Sequence, residues 1–242
     1  MKITKRRPYA LMDSLDRIDR ILDGYIKPLN QIDAKEIKRA KIDLSPKTGA
    51  YVCGTVLVIN FFAEGDVKLI NKLKVLRAFS SEVCSILTAN IDCEDIYAYN
   101  NKIIAVYDTP LKNKIEKVID NAASICSLSD IINKKAKNSG YPNIIVSTGI
   151  HYGEMLMMSF SEYDALNKRP AEDFQYIGSI ISRAEMLCNR GFEAVKSRIY
   201  ISDIIFNNLS LDYKKFFRCL DDQKTSYCSD LHNIQMNNWL AK

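Results

Sequence analysis

The chain has 242 residues, of which 47% are hydrophobic and 26% charged, with only 9 Gly and 6 Pro. That suits one domain with helical extensions and a substantial core, and it excludes disordered and collagen-like classes. The formal net charge of +5 is modest, and the lysines are dispersed apart from the Lys2 to Arg7 cluster, so no nucleic-acid partner is expected and that cluster reads as a solvated tail. The mixed stretch from Pro8 to Leu22 fits neither a signal peptide nor an anchor, and the longest apolar run, Gly54 to Ala63, is far too short to span a bilayer. A cytoplasmic location without membrane association is the expectation. Seven cysteines (Cys53, Cys84, Cys93, Cys126, Cys188, Cys219 and Cys228) are scattered with no CxxC pair, which reads as reduced, mostly buried thiols.

From Tyr9 to Gly24, Leu11, Leu15, Ile18, Ile21 and Leu22 recur at helical spacing. This predicts an amphipathic helix covered either by the main domain or by the same helix of a second chain. The polar stretch Gln31 to Gly49 reads as a connector. The domain division expected is therefore 1–45 for the helix and connector, 46–210 for the main domain and 211–242 for a C-terminal extension. Val52 to Phe62, rich in β-branched and aromatic residues, predicts a central strand. Val67 to Ala89 predicts a helix with Leu69, Leu73, Leu76, Phe79, Val83 and Ile86 facing the core. Asp95 to Tyr107 carries two short apolar runs about Asn100 and Asn101 and predicts a hairpin, because adjacent asparagines tolerate the positive φ of a tight turn.

Leu111 to Lys137 predicts a second long helix, with Ile115, Val118, Ile119, Ala122, Ile125, Leu128, Ile131 and Ile132 as its stripe and Gly140 with Pro142 closing it. Asn143 to Ser159 predicts another hairpin turning at Tyr152 and Gly153, with His151 and Glu154 as a solvent-exposed pair beside the turn. Beyond a polar loop come a strand at Phe174 to Ile177, a helix from Ser179 to Asn189, a strand near Arg198 to Ile201 and a helix from Ser202 to Leu209. The tail holds Met236, the single tryptophan Trp239, and Leu240, and the tryptophan reads as a core plug. The order β, α, β, β, α, β is an α+β, ferredoxin-like split βαβ pattern: an antiparallel or mixed sheet with two long helices on one face, plus the N-terminal helix and C-terminal additions.

Several ordered blocks carry a family resemblance. VLVINFF, STGIHYGE and FQYIGSIISRAEMLC resemble class III adenylyl and guanylyl cyclases, and YAYNNKIIAVYDTPLK with IGSIISRAEMLCNRG resembles the pyrimidine cyclases of the bacterial Pycsar antiphage systems. The resemblance covers roughly Lys47 to Leu209. It implies cyclisation of UTP or CTP to a 3′,5′-cyclic monophosphate in a head-to-tail homodimer, with Mn²⁺ or Mg²⁺ held by two aspartates. Those two metal positions fall here on Asn60 and Asn101, with Asn100 where the family has glycine. The family's asparagine falls on Ser182 and its basic transition-state residue on Met186. Around these positions the candidate nucleotide pocket comprises Asn60, Phe61, Phe62, Ala63, Lys102, Ser179 and Arg183. An uncharged amide is a weak ligand for Mg²⁺, and a thioether does not stabilise an anionic pentavalent phosphorus.

Three functional readings follow from these residues. The first is a degenerate cyclase domain, a pseudocyclase with a nucleotide-binding, regulatory or partner-binding role in antiphage defence, its partner being a cyclase or a phage component. The second is an active pyrimidine cyclase making cUMP or cCMP, in which Glu64 or Asp66 recruits the metal. The third is an interaction module built on the N-terminal helix or the tail.

Overall fold

The computed structural model describes residues 12, 15, 37, 38, 41, 49–137, 139–159, 174–192 and 197–241. The helix expected over Tyr9 to Gly24 lies outside the described residues apart from Met12 and Leu15, both helical and exposed. The basic cluster at the N-terminus also lies outside them. The chain divides into two compact units, a smaller one (Met1–Val52 with Glu154–Gly178) and a larger one (Cys53–Gly153 with Ser179–Lys242).

The larger unit holds β1 (Gly49–Glu64) from Cys53 onward, α1 (Leu69–Thr88), β2 (Cys93–Tyr99), β3 (Lys102–Tyr107), α2 (Lys112–Lys137), β4 (Asn143–Ser159) as far as Gly153, α3 (Ser179–Asn189), β6 (Ile199–Ser202), α4 (Asp203–Asn208), α5 (Leu211–Lys214), β7 (Arg218–Cys219), β8 (Ser226–Ser229) and α6 (Ile234–Leu240). The strand order is β2-β3-β1-β4-β6-β8-β7. β3 lies antiparallel to β1 and β4 parallel to β6, so the sheet is mixed. The α+β arrangement with two long helices matches the pattern expected, and β7 and β8 from the C-terminal tail extend the same sheet.

Alternation along each strand divides the side chains between two faces. Leu57, Ile59 and Phe61 of β1 and Ile103, Ala105 and Tyr107 of β3 join α1 and α2 in one apolar cluster. From α2, Ile115, Val118, Ile119, Ala122, Ile125 and Leu128 are buried as the periodicity predicts. α1 is corrected in part. Its buried residues are Val75, Phe79, Val83 and Leu87, whereas Leu69 and Leu73 are exposed. Periodicity identifies a helix but does not report how many of its turns the core covers.

The hairpin predicted within Asn143 to Ser159 is also corrected. β4 is one uninterrupted strand of 17 residues, and Gly153 is absent from the positive-φ glycines, which among the described residues are Gly65, Gly140 and Gly178. Tertiary pairing supplies the reason. Thr148, Gly149 and Ile150 pair with Ile199, Tyr200 and Ile201, and Leu156 to Ser159 pair with Phe174 to Ile177, so ladders on both sides of Tyr152 and Gly153 keep the chain extended through the expected turn. Within the smaller unit, Leu156 to Ser159 pair antiparallel with β5 (Phe174–Ile177), and the Lys41 ammonium lies 5.2 Å from the Phe174 ring centroid.

Trp239 does not plug a core. It stays 43% exposed between the ammonium groups of Lys134 and Lys135, 5.3 and 5.1 Å from its ring centroid. Lys134 also donates to the Leu240 carbonyl at 2.7 Å, so α6 is fastened to the end of α2 by cation–π and charge-assisted contacts.

Candidate functional site

β1 remains apolar and buried through Ile59, and Asn60 then places an amide on the face opposite α1 and α2, only 8% exposed. A buried amide needs partners. The β2–β3 hairpin supplies one: Asn101 Nδ2 donates to Asn60 Oδ1 at 2.7 Å, and the Phe61 amide donates to the Asn101 carbonyl at 3.0 Å. The turn forms because Asn100 adopts φ 54°, a left-handed conformation that asparagine accepts readily. Each such bond contributes on the order of 1 kcal/mol net, and together they tie the hairpin tip to β1.

Lys102 pairs directly with Asn60 across β1 and β3. Its Nζ donates to Glu185 Oε1 of α3 at 3.2 Å, with both side chains partly open to solvent, 26% and 35% exposed. α3 can reach this close because β4 offers glycine beneath it. A Cβ at Gly149 would run into the Ala184 carbonyl oxygen and the Cys188 amide nitrogen, and one at Gly191 would strike Ser147 Oγ. Ser147 Oγ donates to the Cys188 carbonyl at 2.6 Å, and Cys188 Sγ donates back to the Ser147 carbonyl at 3.1 Å. Burial pushes the Cys188 thiol up to about 12, so this cysteine is a packing group rather than a nucleophile.

The sequence-predicted residues separate by position. Asn60, Asn101 and Lys102 come together. The Phe61 ring points the other way, into the core, 5.0 Å from Phe79. Phe62 is 39% exposed and sits 5.3 Å from Phe192, while Ala63 is half-buried. Ser179, Ser182 and Arg183 lie exposed on α3, and Met186 is 63% exposed. Glu64, the last residue of β1, and Asp66 just past it are exposed, and Glu64 is four residues from Asn60 along an extended strand, roughly 13 Å. Among the described residues no group of three or more His, Cys, Asp or Glu side chains is placed to hold a metal ion. A separate cavity of about 200 Å³, lined by Lys215, Arg218, Cys228 and Asp230 among others, lies at the β7–β8 edge.

Two residues escaped the sequence reading. Glu185 sits between the singled-out positions Ser182 and Met186, and nothing in its spacing signals the pairing with Lys102, which depends on α3 crossing the sheet. His151 was expected in an exposed turn. It is 4% exposed, and its Nδ1 has no hydrogen-bond partner. Burial, and then the Arg183 guanidinium, lower its pKa from 6.5, opposed by Asp203, so the imidazole is neutral at physiological pH.

No protein-family model matches the chain. The chain is 23% identical over 174 residues to a uridylate cyclase of Treponema porcinum, covering 70% of this chain and 59% of that protein. It therefore spans somewhat under two thirds of that relative's length. Its fold superposes on a class III adenylyl cyclase-like ATP-binding protein of Pseudomonas aeruginosa (TM-score 0.62, 12% identity, 94% of this chain and 48% of that one). It also superposes on the adenylyl cyclase CyaB of P. aeruginosa (TM-score 0.55, 13% identity, 74% and 95%). These likenesses agree with the blocks quoted from the sequence.

Proposed function

We propose that this chain, which has the class III nucleotide cyclase fold, is a pseudocyclase that binds a pyrimidine nucleoside triphosphate, UTP or CTP, without cyclising it. The observation that carries the reading is the direct bond between Asn101 Nδ2 and Asn60 Oδ1. The family resemblance assigns these two positions to metal-binding carboxylates. Two carboxylates at this separation repel unless a cation lies between them, whereas two amides satisfy each other. Here the Asn60 oxygen is already an acceptor for a neighbouring amide, and neither side chain carries charge, so the pair does not fit a divalent-ion site. Met186, at the position of the basic transition-state residue, offers an exposed thioether and no positive charge for developing anionic oxygen.

Similarity to a uridylate cyclase supports the pyrimidine preference, and fold likeness to an ATP-binding protein of cyclase type supports nucleotide binding. Homodimer formation and a regulatory or partner-binding role in antiphage defence, toward a cyclase or a phage component, complete the reading and rest on the sequence resemblance. The active-cyclase alternative draws on the same uridylate cyclase similarity. It requires Glu64 or Asp66 to serve the metal, and the length of β1 between Asn60 and Glu64 weighs against that.

Incubation of the purified chain with Mn²⁺ and each of UTP, CTP, ATP and GTP, followed by calorimetry and product analysis of the same samples, tests the proposal. Binding of UTP or CTP with no cUMP or cCMP is expected. Robust conversion of any triphosphate overturns it.

A further inference from the structure

At the two positions that the family resemblance assigns to carboxylates, this end of the sheet carries neutral amides. Asn60 and Asn101 are neutral, and the nearest cation along the strands is Lys102, directly across from Asn60. With aspartates in the two amide positions, a metal-free polyphosphate would be repelled. With amides it meets N–H groups and an ammonium. The Lys102 ammonium is a flexible point charge of the kind that binds phosphate, and it remains partly open to solvent. Its present partner is Glu185 of α3, at 3.2 Å. A partly exposed ion pair of this type is weak because solvent screens it, so a polyphosphate competes well with one carboxylate for the ammonium.

We infer that Lys102 is the phosphate-binding cation of this site and Glu185 its built-in competitor, so that a polyphosphate binds without a divalent metal by displacing Glu185 from Lys102. The inference rests on the nucleotide-binding reading and deepens it. The amide pair, which does not fit a cation, then stands beside an anion site gated by its own carboxylate.

The test uses the full chain and two probes, UTP and inorganic triphosphate, titrated calorimetrically in EDTA and again with Mn²⁺. Lys102→Gln, Lys102→Arg and Glu185→Gln are compared with wild type, and thermal melts confirm that each variant folds. Wild type is expected to bind in EDTA. Glu185→Gln tightens binding several-fold, Lys102→Gln weakens it roughly tenfold, the scale of one charge-assisted contact, and Lys102→Arg restores most of the loss. The two glutamine variants break the same ion pair, so a purely structural role moves them in the same direction, and only competition for the ammonium moves them in opposite directions. UTP binding that needs Mn²⁺, or that ignores both glutamine variants, overturns the inference and leaves the nucleotide-binding reading standing. Triphosphate binding that responds to both variants while UTP fails to bind supports the inference and removes that reading. Absence of binding by either probe to wild type and to Glu185→Gln overturns both.

Discussion

The two faces of the central sheet are held by different physics. On the α1–α2 face, Leu57, Ile59, Phe79, Val83, Val118 and Ile119 are wholly buried hydrocarbon, and stability comes from apolar area removed from water. On the α3 face, contact depends on glycine beneath a helix, a reciprocal Ser147–Cys188 pair, an amide–amide bond and an ion pair. The first face is apolar and closed to solvent at its centre. The second keeps polar groups half open and is the face on which we propose that a ligand binds. The residues of the proposed anion site, Asn60, Asn101, Lys102 and Glu185, all belong to the second face and none to the apolar cluster.

The sharpest separation of the two faces is Phe79→Ala, which removes a fully buried ring from the apolar side. It is expected to cost about 3–5 kcal/mol in urea unfolding, with UTP affinity of the folded protein unchanged. A parallel loss of affinity would show that the faces are coupled. Gly149→Ala acts on the other side, driving a methyl group into the backbone of α3. Overpacking there is expected to cost about 1–3 kcal/mol, and UTP affinity in EDTA rises with it because α3 carries Glu185, the competitor for Lys102. A variant with unaltered affinity would break the link between helix docking and the site.

Combined Asn60→Asp and Asn101→Asp replacement puts two carboxylates where two amides now bond. In EDTA the doubly substituted chain is expected to lose about 2 kcal/mol of stability, and added Mn²⁺ should restore it, read as a rise in melting temperature absent from wild type. An equal Mn²⁺ effect on wild type would refute the poor fit of the amide pair for metal.

The smallest effect concerns His151, faced by Arg183 from α3 and by Asp203 from α4. Its folded pKa lies below 6.5, so the unfolded chain binds a proton more readily. Its contribution to stability is complete above pH 6.5 and declines as the pH falls below that value, with a slope of at most about 1.4 kcal/mol per pH unit. His151→Gln should flatten that part of the stability curve. An unchanged curve would assign the acid sensitivity to other groups.

Much of the fold was legible because its elements announce themselves locally. The burial of Val118, Ile119, Ala122 and Ile125 follows from 3.6-residue periodicity, and the Asn100 turn follows from what asparagine tolerates. The failures share a cause. Tyr152 and Gly153 look like a turn until strand pairing on either side, with β6 before them and β5 after them, keeps β4 extended. Leu69 and Leu73 fit the α1 stripe but extend past what the core covers. Trp239 resembles a core residue until the ends of α2 and α6 place it between two lysines.

At the site, the sequence by itself determined which side chains are neutral at 60, 101 and 186, because charge is a property of the residue and not of the fold. Only the tertiary structure decided what those residues do to one another: that Asn60 and Asn101 bond directly, that the Phe61 ring leaves the site for the core, and that Lys102 is engaged by Glu185. Residues 41 and 83 positions apart meet because the sheet sets strand register and Gly149 lets α3 descend onto it. No local pattern encodes such a long-range approach.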